Sequence, residues 1–254
     1  MNFFLDAIAW IFSPDRLSGS NAILTLVGSH LFYTIVAFAI ACAVAIPLGL
    51  LIGHTGKGRE IAVAASGAAR ALPSFGLILL LVSLLGVLQI VPAVLIAFVL
   101  LAVPSILAGA YSGLEAIDRR TIDAARAVGM TEWQILLKVE LPLGLPLLIG
   151  GMRAGMLQIV ATVTLAAYVG LGGLGLPILQ GLPLRRLDQV LGGAILVVTL
   201  ALLLDALFGV LERLAVPKGV RLAQSGTSGR RPKNTLEQAV DTGARIRQAL
   251  GPAG

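Results

Sequence analysis

Five long apolar stretches constrain this chain more than any other feature of its sequence. Each is long enough to cross a bilayer as one helix, which takes about 20 apolar residues. Only 13% of the chain is charged, whereas soluble domains carry about 25% charged residues. The sequence therefore predicts an all-α integral membrane protein with about five transmembrane helices, over residues 23–52, 61–83, 91–113, 144–169 and 190–211.

Lysine and arginine residues are spread unevenly over the segments that connect these stretches. They concentrate in the first connection, in the segment 114–142 and in the tail, and the opposite side keeps only Arg16, Arg185 and Arg186. Cytoplasmic loops of membrane proteins carry an excess of these residues. We therefore expect the N-terminus outside and the C-terminus in the cytoplasm, and we ascribe the net charge of +6 to topology rather than to nucleic-acid binding.

The composition divides the chain into three parts. Residues 1–22 lack a basic start and a cleavage site, and they predict an N-terminal interfacial segment with Trp10 at the headgroup level. Residues 23–216 form the transmembrane domain. Residues 217–254 form a basic cytoplasmic tail that is too poor in apolar residues to build a core, so we expect it to be disordered. The lone Cys42 excludes an internal disulfide.

The polar segment 114–142 is built as two short helices around a glycine. A first helix over Leu114–Val128 is followed by Gly129, and glycine past a helix end accepts the left-handed backbone that terminates it. Thr131 and Gln134 have the spacing of a capping box at the start of a second helix. The pattern predicts a rigid elbow rather than a flexible loop.

The second helix of this segment supports the same interpretation. Met130 and Ile135 have the spacing of a hydrophobic staple, and Pro142 marks where the helix is kinked or ends. Trp133 either anchors in a partner's groove or packs against the ends of the chain's own spans. A DNA-binding helix-turn-helix is disfavoured, because this helix has few donors for base edges and leads straight into a span.

At these residues the chain resembles the permease subunits of bacterial ATP-binding-cassette importers. That family's cytoplasmic loop has the pattern Glu-Ala-Ala, three residues, Gly, nine residues, Ile, one residue, Leu-Pro. Asp123 stands here for Glu and Val139 for Ile, and the other positions match at Ala124, Ala125, Gly129, Leu141 and Pro142. The resemblance implies a MetI-like permease fold in the bacterial inner membrane, and a loop that couples to an ATPase through Asp123, Ala124, Ala125, Gly129, Leu141 and Pro142. Trp133 is a further candidate for this coupling loop.

The resemblance also implies partners and a substrate class. The stretch from Leu165 to Gly175 looks like the osmoprotectant branch, which imports glycine betaine, carnitine or choline. The expected partners are a cytoplasmic ABC ATPase dimer, an extracytoplasmic substrate-binding protein, membrane lipid and a second permease, identical or related. Two alternatives stay open: an importer of another small solute such as an amino acid, and a channel or secondary transporter.

A catalytic set of residues, a cofactor motif and a metal site are all missing from the sequence. There is no phosphate-binding glycine loop followed by Lys and Ser or Thr, and His30 and His54 stand too far from other ligands for a metal. Charges inside spans remain candidates. Arg153 and Asp205 either pair and fix the helix register, form a gate contact, or act separately, with Arg153 reaching the interface.

Overall fold

The computed structural model describes residues 3–16, 18–19 and 22–215, so the tail predicted over 217–254 lies outside the described residues. The described residues form helices and turns with no strand among them, which confirms the predicted all-α class. Their α-helices are α1 Phe3–Ile11, α2 Ile23–Thr55, α3 Arg59–Ala71, α4 Ser74–Leu85, α5 Ile90–Glu115, α6 Arg119–Ala127, α7 Glu132–Ile135, α8 Leu141–Ala166, α9 Gly175–Gly181 and α10 Leu187–Ala215.

Four helical stretches of the described chain are long and apolar enough to cross a membrane. They are Ile23–Thr55, Val87–Glu115, Glu132–Val169 and Leu187–Ala215. The 33 residues of α2 extend roughly 50 Å at 1.5 Å per residue, well beyond a hydrocarbon core of about 30 Å. The ends of α2 therefore reach the polar regions on both sides of the membrane.

The region predicted as one helix over 61–83 is broken instead. Helices α3 and α4 meet there at an angle of 90°. Leu72 lies at the break with an extended backbone, at φ −71° and ψ 129°, because the ring of Pro73 disfavours helical backbone at the residue before it. The prediction of a single helix is wrong, and the pair supplies a fifth crossing only as a broken or re-entrant span.

Helices α2, α5 and α8 pack at glycine positions closely enough to exclude a side chain. A Cβ atom on Gly109 of α5 would lie 2.7 Å from the Cα of Gly151 on α8, and one on Gly113 would lie 2.6 Å from the carbonyl oxygen of Gly144. Helix α2 approaches α5 from the other side, where a Cβ on Gly53 would lie 2.9 Å from a backbone oxygen. Small residues let helices approach closely in a bilayer, where lipid competes with larger apolar side chains.

Helix α10 packs on α8, α9 and the N-terminal helix α1. Trp10 of α1 is buried against Gly192, where an added Cβ would lie 2.5 Å from the indole ring. The Arg16 guanidinium stands 4.7 Å from the centre of that ring. Much of the remaining surface of α10 is apolar and exposed, as expected of a helix that faces lipid or a second membrane subunit.

The segment between α5 and α8 departs from the predicted helix boundaries. Leu114 belongs to α5, which ends at Glu115, and α6 begins only after Asp118. Pro142 does not end the second helix, because α7 continues through a π-helix, Leu136–Glu140, into α8. Pro142 is the second residue of α8 and directly follows this π-helix, so it lies inside one continuous helical segment.

Candidate functional site

The segment 118–140, called the elbow below, folds as a compact unit between two long helices. The Asp118 side chain accepts a hydrogen bond of 2.9 Å from the backbone of Arg120 and caps α6. A small apolar cluster fills the angle between α6 and the following helix, with Ile122, Ala125 and Ile135 buried at its centre. The elbow therefore has an apolar core of its own.

Gly129 ends α6 in the left-handed conformation that the sequence predicts. Its φ is +85°, and its backbone N–H donates to the Arg126 carbonyl at 2.9 Å. The next N–H, that of Met130, reaches back to the Ala125 carbonyl at 3.2 Å. These two bonds form the Schellman motif that commonly closes a helix. An added Cβ would meet no atom within 4 Å, so only the backbone conformation requires glycine here.

The start of the second elbow helix confirms the predicted capping box. The Gln134 N–H donates to the Thr131 hydroxyl at 3.4 Å, and the Thr131 N–H donates to the Gln134 side chain at 3.0 Å. Met130 packs against the cluster that contains Ile135, as expected of a hydrophobic staple. The direction of the second helix is thus set by contacts within a few residues of the turn.

An ion pair braces the two elbow helices across the turn. Arg126 donates two hydrogen bonds to the Glu132 carboxylate, at 2.9 and 3.1 Å. The guanidinium holds the pKa of Glu132 below its usual range, and the carboxylate raises the pKa of Arg126. Asp123 stands on the other side, 3.7 Å from the Arg126 guanidinium. Both paired groups are solvent-accessible, so the brace is modest in free energy.

The residues matched to the family pattern lie at one end of the long helices. The Asp123 side chain is 72% exposed, Ala124 is also exposed, and Ala125 is buried in the elbow cluster. Trp133 is 74% exposed, so it does not pack deeply against its own spans. Leu141 and Pro142 lie in the first turn of α8 and place the elbow on that helix.

His54 is a site residue that sequence reasoning missed. Its Nδ1 lies 2.5 Å from a carboxylate oxygen of Glu140, and its Nε2 lies 3.5 Å from a carboxylate oxygen of Glu132. From the sequence we consider His54 only as a metal ligand, whereas the fold brings two carboxylates from distant parts of the chain to its ring. The signal available in the sequence was a histidine at the end of a span with acidic residues in the facing loop.

Arg153 of α8 faces two acidic residues of α10. Its guanidinium forms a two-pronged interaction with the Asp205 carboxylate, with both nitrogen–oxygen distances at 2.5 Å, and approaches Glu212 at 3.6 Å. The side chains of Arg153 and Asp205 are 35% and 28% exposed. This arrangement places opposite charges of two spans in contact, the geometry required for a pair that fixes helix register.

His30 connects three parts of the molecule at the opposite end of the spans from the elbow. Its Nδ1 accepts a hydrogen bond from the Leu174 N–H at 3.3 Å, so its Nε2 carries the proton and donates to the Val160 carbonyl at 3.2 Å. The loop before Leu174 has left-handed backbone at Gly172 and Gly173. His30 is fully buried, and both of its ring nitrogens have hydrogen-bond partners.

The described ranges show no metal centre at these sites. Among residues 3–16, 18–19 and 22–215, no group of three His, Cys, Asp or Glu side chains could hold a metal ion. The elbow continues into α8 and contacts α2 through His54. Several helices long and apolar enough to cross a membrane define the class of multi-pass membrane proteins.

Comparison with known proteins identifies the family. Residues 45–216 match the binding-protein-dependent transport system inner membrane component, and the chain belongs to this family. It is therefore a multi-pass permease subunit of the inner membrane rather than an enzyme. This finding confirms the resemblance stated from the sequence.

Curated relatives cover most of the chain. The carnitine transport permease OpuCB of Listeria monocytogenes is 34% identical over 87% of this chain and 99% of that protein. The glycine betaine/carnitine/choline permease OpuCB of Bacillus subtilis is 32% identical, over 80% of this chain and 93% of its own length. The osmoprotectant import permease OsmW of Salmonella typhimurium is 33% identical, over 81% and 97%.

A solved structure matches the fold. A chain of the inward-facing MetNI methionine ABC transporter aligns with a TM-score of 0.66, covering 77% of this chain and 96% of that chain. The sequence identity is 22%, so the match concerns the fold alone. It confirms the predicted MetI-like architecture.

Proposed function

We propose that the chain is the permease of an ATP-driven importer for osmoprotectants such as glycine betaine, carnitine or choline. Relatives that cover at least 80% of the chain are named for carnitine, for glycine betaine, carnitine and choline, and for osmoprotectants. The stretch from Leu165 to Gly175, which resembles the same branch, supports this substrate class independently of the elbow.

The observation that carries the coupling role is the rigid, exposed elbow at the base of α8. It offers apolar side chains to a partner, with Val128 and Trp133 both more than 70% exposed, and tryptophan is enriched in interface hot spots. In the proposed mechanism a cytoplasmic ATPase subunit binds this surface, around Asp123, Ala124, Ala125 and Gly129. When ATP draws two ATPases together, each elbow moves with its ATPase and tilts α8.

The importer requires further subunits. Two permeases face each other across the passage, and an extracytoplasmic binding protein delivers substrate. Listeria monocytogenes has two carnitine permeases related to this chain, OpuCB at 34% and OpuCD at 27% identity, which supports pairing with either a second copy or a related permease. The exposed apolar surface of α10 is available for lipid or for that second subunit.

In the proposed topology the elbow and the 217–254 tail lie in the cytoplasm, and the N-terminal segment lies outside. The basic residues of the elbow, such as Arg119, Arg120 and Lys138, support this topology. A reporter enzyme that works only outside the cytoplasm should be active when fused after Gly181 and silent when fused after Pro217. Activity after Pro217 would reverse the assignment.

Gly129→Asp tests the coupling role of the elbow. Aspartate tolerates left-handed backbone better than most residues, and no atom lies within 4 Å of the new Cβ, so the permease should still fold and reach the membrane. The added carboxylate alters the proposed docking surface. We expect weaker copurification of the ATPase and a loss of ATP-driven glycine betaine uptake of at least about tenfold.

Gly58→Asp is the matched control. Gly58 also has left-handed backbone, with φ of +81° and open space around its Cβ, but it lies in the connection between α2 and α3, outside the elbow. It should transport normally. Normal transport by Gly129→Asp, with the ATPase still bound, would contradict the proposed coupling role. Uptake that an amino acid inhibits, but carnitine and choline do not, would contradict the proposed substrate class.

A further inference from the structure

The strongest feature that the proposed function leaves unexplained is the contact between His54 and the elbow. His54 lies in the last turn of α2, and two carboxylates of the elbow converge on its ring, Glu140 from the π-helix and Glu132 from α7. His54 and Glu140 are 86 residues apart in sequence. The contact is therefore a tertiary link between a span and the elbow.

The link between His54 and Glu140 is a short hydrogen bond that is largely shielded from water. A carboxylate can only accept a hydrogen bond, so the His54 Nδ1 carries the proton that it shares with Glu140 at 2.5 Å. The two side chains are only 16% and 7% exposed, so water competes little for this bond. Removing either partner leaves a polar group buried without its partner, which is more costly than the loss of an exposed pair.

The position of His54 on α2 connects it to the packed spans. The neighbouring Gly53 lies so close to α5 that an added Cβ would be 2.9 Å from the backbone oxygen of Tyr111. The end of α2 is thus held against α5 on one face and against the elbow on the other. Displacement of the elbow at Glu140 will pull on α2 through the imidazole as well as on α8 through the continuous helix.

We propose that His54 is a positioning residue that transmits movement of the elbow to α2. The proposal rests on the coupling role of the elbow and adds a second route into the spans. With both routes intact, α2 and α8 move together when the elbow is displaced. Without the His54 contact, the ATPase still docks and hydrolyses ATP, but α2 no longer follows the elbow.

The experiment uses the complete transporter, with permease, ATPase and binding protein, reconstituted in vesicles and supplied with glycine betaine. Uptake and ATP hydrolysis are measured together. In His54→Ala we expect the uptake per ATP hydrolysed to fall by about tenfold, while the ATPase still copurifies. The double variant with Glu140→Ala should lose no more than either single variant, because both residues act through one contact.

Two amide substitutions distinguish transmission from simple packing. Asparagine places its amide N–H near the position of Nδ1 and can still donate to Glu140, whereas glutamine places it near Nε2, towards Glu132. His54→Asn should therefore restore most of the uptake per ATP, and His54→Gln should restore less. Equal recovery of uptake per ATP in the Asn and Gln variants would overturn the proposal. Uptake per ATP in His54→Ala equal to that of the wild type would also overturn it.

A control and a parallel variant separate this proposal from the coupling role itself. Lys57→Ala removes a charge from the connection that follows the same helix end, and its uptake per ATP should not change. Release of the ATPase by His54→Ala would assign His54 to docking and overturn transmission. Gly129→Asp, measured in the same preparation, reports on the elbow alone, so a defect there with a normal His54→Ala refutes only the role of His54.

Discussion

The contacts that stabilise the elbow join residues close in sequence, whereas the contacts that stabilise the packed spans join residues far apart in sequence. In the elbow the decisive contacts are local, as in the reciprocal bonds of Thr131 and Gln134. In the spans the closest approaches join distant residues, as between Gly109 and Gly151. The elbow is polar, exposed and capped by side chains, whereas the spans approach each other where side chains are absent.

This difference separates two tasks of the molecule. A unit held by its own short-range contacts keeps its shape while its surroundings rearrange, which suits a lever. A bundle packed backbone to backbone has little room for added atoms, so its helices move as bodies against one another. Changes in the elbow should therefore impair coupling, and changes at the glycine contacts should impair folding.

The largest expected effect is at the contact between α5 and α8. Gly151→Ala places a methyl group 2.7 Å from the Cα of Gly109, and neither backbone can yield without moving a helix. Overpacking of this kind costs about 1–3 kcal/mol. We expect a lower melting temperature in detergent and less folded protein in the membrane.

Gly150→Ala is the matched control, one residue earlier in the same helix. A Cβ on Gly150 meets no atom within 4 Å, and alanine is the better helix former by up to about 1 kcal/mol. Its melting temperature should equal or exceed that of the wild type. Equal melting temperatures for both variants would show that the two helices are not in backbone contact.

The same difference in range explains what the sequence could predict. The capping box, the left-handed Gly129 and the staple depend on residues a few positions apart, so their spacing sufficed. The bend at Leu72 was missed because the apolar stretch continues across it, although the following proline was visible. The His54 contact with Glu140 could not be predicted, because it depends on how α2 and α8 are placed in the bundle.

The Arg153–Asp205 pair was partly predictable. Charged residues inside spans suggest an ion pair, but the sequence does not show which residues form it. Asp205→Asn removes the charge that faces the guanidinium and leaves Glu212 as the nearest carboxylate, at 3.6 Å. We expect the melting temperature of the solubilised protein to fall by about 3 °C. The charge-swapped double variant should recover part of this loss.

Glu212→Gln provides the control for that pair. Glu212 approaches the same guanidinium at 3.6 Å but without the two-pronged geometry of Asp205. Glu212→Gln should therefore lower the melting temperature less than Asp205→Asn does. Independent, additive losses for Arg153→Ala and Asp205→Asn in a double-mutant cycle would show that the two residues do not stabilise each other.

The smallest expected effect is on the exposed brace of the elbow. Because Arg126 lowers the pKa of Glu132 in the folded protein, the brace stabilises the elbow above the ordinary pKa of glutamate, about 4.3. That contribution is lost as the pH falls through the lower, folded pKa. Trp133 directly follows Glu132. The chain has two tryptophans, so in a Trp10→Phe background the fluorescence comes from Trp133 alone.

The emission of Trp133 should therefore report the brace. In the wild-type elbow it should change below about pH 4.3, and Glu132→Gln should show the shifted emission already at neutral pH, without a transition. Asp123→Asn is the control, because Asp123 approaches Arg126 only at 3.7 Å and should leave the transition in place. High salt should reduce the difference between wild type and Glu132→Gln, since exposed ion pairs are screened. A transition that persists in Glu132→Gln would assign it to another carboxylate and leave the elbow held by its backbone caps and apolar cluster alone.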